Sequence, residues 1–172
     1  MDKEFYTNFD EIESKIKNLK QIGISEDGWT IFYQDENAEK WELNYYESDF
    51  KRQGVRILRK SKIISVDELI NIVINSNNKD EIIGASIELY FNEYNNKEDF
   101  REKLVKKLNE LDFRKLTKFD KEKVKIIIYE SNLYDPLNRR EIVGVSKEKF
   151  ESDVKNFREN AELAEEILEK IK

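Results

Sequence analysis

The chain has 172 residues, 38% of them hydrophobic and 40% charged, with a formal net charge of −6 and a pI near 5.1. Cysteine and histidine are absent, which excludes disulfides, thiolate metal sites, a thiol nucleophile and any Ser-His-Asp arrangement, and leaves catalysis to carboxylates, Lys, Tyr or Ser. The longest apolar run is four residues, from Ile126 to Tyr129, and the acidic start Met1-Asp2-Lys3-Glu4 lacks the apolar core of a secretory signal, so a cytoplasmic protein that does not enter a membrane is expected.

Phe5, Phe9, Ile12, Ile16 and Leu19 recur at intervals of four and three, which predicts one helix over about 4–20, ended by Gly23. The period then changes to two. Trp29, Ile31 and Tyr33 alternate with Thr30, Phe32 and Gln34, and Trp41, Leu43 and Tyr45 alternate with Lys40, Glu42 and Asn44. These are two strands sharing an aromatic face, joined through residues 35–39 in a register that pairs Tyr33 with Trp41, Ile31 with Leu43 and Trp29 with Tyr45. Such pairs each contribute about 0.2–1 kcal/mol, and both tryptophans are expected to be buried beneath the first helix. Val55 to Arg59, after Gly54, reads as a third strand.

From Ser65 onward the pattern is helical. Ser65-Val66-Asp67-Glu68 fits a capping box, and Asn78-Lys79-Asp80-Glu81 a second N-terminus. The helix over about 79–95 carries Ile82 and Leu89 on one side and Ile83, Ile87 and Tyr90 on another, so it is expected to lie between two neighbours. Stripes follow at Phe100, Leu104, Leu108 and Leu111, at Val124, Ile127 and Ile128, and along 147–171; residues 132–140 around Pro136 form a loop. The expected fold is α+β: an N-terminal helix on a small antiparallel sheet of about three strands (1–64), then an array of antiparallel helices (65–172), packed with the sheet as one unit.

Little in the chain points to chemistry. The five glycines never take phosphate-loop spacing. Asp35, Asn37 and Glu39 match the first ligand positions of an EF-hand, but Lys40 stands where its glycine belongs and Tyr46 where its bidentate glutamate belongs. No catalytic residue, metal ligand or cofactor site is therefore assigned, and a non-enzymatic protein is expected.

Charge is distributed more informatively. Glu26, Asp27, Asp35, Glu36, Glu39, Glu42, Glu47 and Asp49 face a single base, Lys40, whereas Lys51, Arg52, Arg56, Arg59, Lys60 and Lys62 follow with no acid among them. Either the basic strand lies beside the acidic hairpin and balances it, or the hairpin is a recognition surface for a basic protein. On the second reading Asp35, Glu36, Glu42, Glu47 and Asp49 supply charge, while Phe32 and Tyr46, on the face away from the core, supply apolar contact. The acidic balance disfavours nucleic acid, because scattered carboxylates repel phosphates.

The segment Gly28-Trp29-Thr30-Ile31-Phe32-Tyr33-Gln34-Asp35, followed by Lys40-Trp41-Glu42-Leu43-Asn44-Tyr45 and by Ser48-Asp49 and Gly54, resembles a family of bacterial polymorphic-toxin immunity proteins, the immunity protein 27 group. Two positions depart from that group: Lys51-Arg52-Gln53-Gly54 replaces a His-Gly-Gly-Gly-like run, and Tyr46 replaces a proline. The resemblance implies a cytoplasmic protein that blocks a cognate toxin domain by tight binding, and it assigns no catalytic residues; with the acidic hairpin, a basic toxin domain is the expected partner. The alternative that the residues leave open is a helical adaptor or scaffold for another protein partner.

Overall fold

The computed structural model describes residues 3–48, 51–96, 98–140 and 144–172, with the backbone alone for 47, 48, 51–53 and 96. The chain forms two compact units, one ending at Ile64 and the other running from Ser65 to Lys172. The first holds β1 (Phe5–Tyr6), α1 (Phe9–Ile16), β2 (Lys20–Ile24), β3 (Thr30–Gln34), β4 (Lys40–Ser48) and β5 (Lys51–Lys60). Its five strands make one antiparallel sheet in the order β1-β5-β4-β3-β2.

The central hairpin has the register that its alternation dictates. Tyr33 faces Trp41 and Ile31 faces Leu43, while the Tyr45 N–H donates to the Trp29 carbonyl at 3.0 Å. Ile12 of α1 packs on Tyr33, Trp41, Leu43 and Leu58 to form a buried core, with Tyr6, Ile16, Leu19, Ile31 and Tyr45 at its margin. Trp41 is fully buried, with the Lys15 ammonium 4.6 Å from its ring centroid and that of Lys60 5.7 Å away. The alkyl stems of both lysines thereby cover the indole while their charges reach water.

Three expectations are corrected. The sheet has five strands rather than three, because the segment expected as one helix over 4–20 is divided. Phe5 belongs to β1, paired opposite Arg59, and is fully buried there. The helix starts only after Asn8, whose side-chain oxygen accepts from the N–H groups of Asp10 and Glu11. It ends in a tight turn at Asn18 and Leu19, so Gly23 lies within β2 and not at a helix end. Helical spacing between Phe5 and Leu19 is thus partly coincidental: two sheet edges offered unpaired backbone groups, and pairing with them outweighed continuing the helix. The third correction is Trp29, which is 48% exposed. It sits just before β3, past the part of the sheet that the eight residues of α1 can cover.

The second unit contains α2 (Val66–Asn75), α3 (Lys79–Asn96), α4 (Arg101–Asn109), α5 (Lys118–Glu130) and α6 (Lys147–Lys170). Ser65 and Glu68 form the capping box that the sequence predicts, and Asn78 Oδ1 accepts from the N–H groups of Asp80 and Glu81. A second box, Thr117 with Asp120, opens α5. Helix α3 packs against both α2 and α5, and α4 packs against α6. The sandwiched position of α3 explains its unbroken burial from Gly84 to Leu89. Among the described residues, no helix is long and apolar enough to cross a membrane.

Candidate interaction surface

Two tight turns bracket β3 and set what the sheet presents. At one end, Asp35 caps the loop: its Oδ1 accepts from the N–H groups of Asn37 and Glu39, both at 2.9 Å. Burial works to raise the Asp35 carboxyl, but those N–H groups and the charge of Lys15 outweigh it and hold the carboxyl below the ordinary aspartate range. The loop closes as a type I turn with Ala38 at φ +64°, the bulge position that glycine usually fills.

At the other end, Asp27 Oδ1 accepts from Ser25 Oγ at 2.6 Å and from the Trp29 N–H at 3.0 Å. These two bonds, the Ser25 hydroxyl first, lower the Asp27 carboxyl and keep it ionised. Gly28 takes φ +79°, a conformation that would strain any residue with a Cβ. Trp29 is therefore held at a fixed backbone position while its indole stays in water.

The residues expected to bind a partner do not form one continuous acidic surface. Phe32 and Glu42 are cross-strand neighbours on the face away from α1, and Tyr46 lies on that same face; all three are half-buried. Glu42 is engaged internally, with Oε2 3.0 Å from Arg59 of β5 and Ser61 Oγ donating to its carboxylate. Glu39 pairs in the same way with Lys60 at 3.0 Å. The basic strand does lie beside the acidic hairpin and balances part of it. Asp35 is half-buried in its turn, and Glu36 is exposed at the tip. Glu47 has no described side chain, and Asp49 lies outside the described residues.

The helical unit holds a buried charge network that sequence reading missed. Arg101 Nε donates to both carboxylate oxygens of Glu93, at 2.9 and 3.1 Å, and its Nη1 donates to the Asp135 carbonyl at 2.9 Å. Arg140 Nη2 donates to Glu93 at 3.0 Å and also to Asp99. The Phe157 ring lies 3.9 Å from the Arg101 guanidinium carbon and 5.0 Å from that of Arg140. Burial pushes the Glu93 carboxyl upward against the pull of both arginines. Among the described residues, Glu93, Asp99 and Asp135 answer Arg101, Arg139 and Arg140, and together with Phe157 the network ties the 132–140 segment to α3, α4 and α6. Glu93 and Arg140 stand 47 residues apart, a pairing that no local pattern encodes.

Neither of two small cavities in this unit is ligand-sized. The one beside Arg140 has about 10 Å³, room for a single water, and one lined by Ile74, Leu111 and Lys123 has about 60 Å³. Among the described residues no group of three or more acidic side chains could hold a metal ion.

No family model matches the chain, and no curated protein or solved structure matches it either. The functional reading therefore rests on the residues and surfaces described above.

Proposed function

We propose that this chain is an immunity-type binding protein, which neutralises a bacterial toxin domain by holding it in a stoichiometric complex. The observation that carries this reading is Trp29. A tryptophan left half in water, on a turn fixed by Asp27 and flanked by acidic residues, is what a preorganised interface anchor requires. The likeness of the β3–β4 strand pair to the immunity family supports a toxin partner, and the exposed Glu26 and Asp27 beside Trp29 suit a basic toxin domain steered in by charge.

The test is to look for a toxin-like domain encoded in a neighbouring gene and to co-express it with this chain. Cells should survive, the two proteins should co-purify, and toxin activity titrated with this chain should vanish at equimolar ratio. Loss of activity at far lower ratios would mean catalytic neutralisation, and no rescue at all would remove the immunity reading.

A further inference from the structure

The face of the sheet that α1 covers is only partly covered. An eight-residue helix is about 12 Å long, whereas the nine residues of β4 run about 30 Å. Lys15, near the C-terminal end of α1, sits over Trp41, and Phe9, at its first turn, sits beside Arg56 and Tyr45. Strand alternation places Ile31, Leu43 and Tyr45 on this same face, the Tyr45 N–H bond to the Trp29 carbonyl extends the alternation to Trp29, and Ile24 opposite Ile31 puts Ile24 there too. The helix thus ends where an apolar strip begins.

That strip runs from Ile24 through Trp29 and Tyr45 to Phe9. Ile24 is 56% exposed, Trp29 48% and Phe9 61%. Arg56 bridges its two halves, with its guanidinium carbon 5.2 Å from the Phe9 ring centroid and 5.4 Å from that of Tyr45. The Arg56 charge is already answered by Glu13 at 2.9 Å. Among the described residues, the exposed charges on the rim are acidic: Asp10 next to Phe9, and Glu26 and Asp27 in the turn before Trp29.

We propose that this strip is the anchor surface for a protein partner, and that it takes a basic segment carrying an aromatic or large aliphatic side chain. The proposal rests on the binding reading above and narrows it to a surface and a chemistry. Charge decides the occupant. A second copy would bring the same acidic rim against itself, and an anionic membrane or a nucleic acid would be repelled; a basic peptide is attracted. Side-chain docking is favoured over addition of a strand at β2, because the register shift between Gln21 and Gly23 bends that edge and interrupts its hydrogen-bonding row. The anchor lies at the 25–29 end of the sheet, on the face opposite Phe32 and Glu42, and at the end away from Glu36.

The test uses the full chain, immobilised, with phage-displayed random dodecapeptides as the probe. Selected peptides should be rich in Lys and Arg and carry an aromatic or leucine. Trp29→Ser should weaken their binding at least about tenfold, as loss of an interface anchor does. Glu26→Lys should weaken it by about threefold at low salt and less at high salt. Asn37→Lys, in the far turn, should leave it unchanged. Melting curves and near-UV circular dichroism of Trp29→Ser check that the sheet is intact, and Trp29→Phe should retain most of the binding. Acidic selected peptides, peptides that bind Trp29→Ser as well as the wild type, or failure to select any peptide would each overturn the proposal. If peptides behave as expected but no toxin domain encoded in a neighbouring gene is neutralised, the surface stands and the immunity reading falls.

Discussion

Arg101 Nε lies 2.9 and 3.1 Å from the two carboxylate oxygens of Glu93, and each side chain is only 3% exposed. Removing one member of such a pair strands the other in a medium that solvates charge poorly. Glu93→Gln or Arg101→Met should therefore destabilise the helical unit by about 3–5 kcal/mol. Replacing both together by Leu and Met should cost less than the sum, although Arg140 then loses Glu93. Both tryptophans lie before Ser65, so urea unfolding followed by far-UV circular dichroism, dominated by the helices, is the measurement.

Acid should weaken the same unit through Asp135. Burial raises this carboxyl, but the Arg139 guanidinium, the Leu137 N–H and the Asn132 amide outweigh it and hold it below the ordinary aspartate value. A depressed folded value contributes stability that is present above the unfolded pKa, near 4, and is lost as pH falls through the folded value. Glu93, shifted upward, contributes with the opposite sign and is not what acid removes. Asp135→Asn should lower stability at neutral pH and flatten the decline below pH ~4 relative to wild type, as read from urea midpoints at successive pH values.

The two tryptophans should separate cleanly. Trp41→Ala empties a fully buried site and should cost about 3–5 kcal/mol, whereas Trp29→Ala should stay within about 0.5 kcal/mol. In Trp29→Phe the remaining Trp41 should emit blue-shifted and resist acrylamide; in Trp41→Phe, Trp29 should emit red-shifted and be quenched. The reverse pattern would show that the sheet is covered at the wrong end.

Ala38 is strained where it stands. Its φ of +64° costs a residue with a Cβ about 1–2 kcal/mol, more than the roughly 0.5–1 kcal/mol of unfolded-state entropy that glycine adds. Ala38→Gly should raise the melting temperature of the sheet unit by a small amount, corresponding to up to about 1 kcal/mol. An unchanged or lower value would mean that the left-handed conformation costs Ala38 no more than the chain entropy that glycine adds.

Legibility followed the range of each interaction. The Tyr33–Trp41 register, the Ser65–Glu68 cap, the Asn78 start of α3 and the burial of α3 on two sides were readable because each is written within a few residues or one period. Phe5, Lys20–Ile24 and Trp29 were not, since each depended on an element placed elsewhere. Phe5 left the helical stripe because β5 offered an edge to pair with, Lys20–Ile24 became a strand because β3 did, and Trp29 stayed in water because α1 stops short of it. The candidate surface divides in the same way. The acidic excess of residues 26–49 is a fact of composition, but which of those charges remain available was decided by β5, whose Arg59 and Lys60 engage Glu42 and Glu39. By itself the sequence determined the periods, the caps and the net charge, all properties of near neighbours or of simple sums. Tertiary structure alone decided the two edge strands, the exposed aromatic strip and the Glu93–Arg101–Arg140 network, because each requires groups far apart in the chain to compete for the same partner or the same covered area.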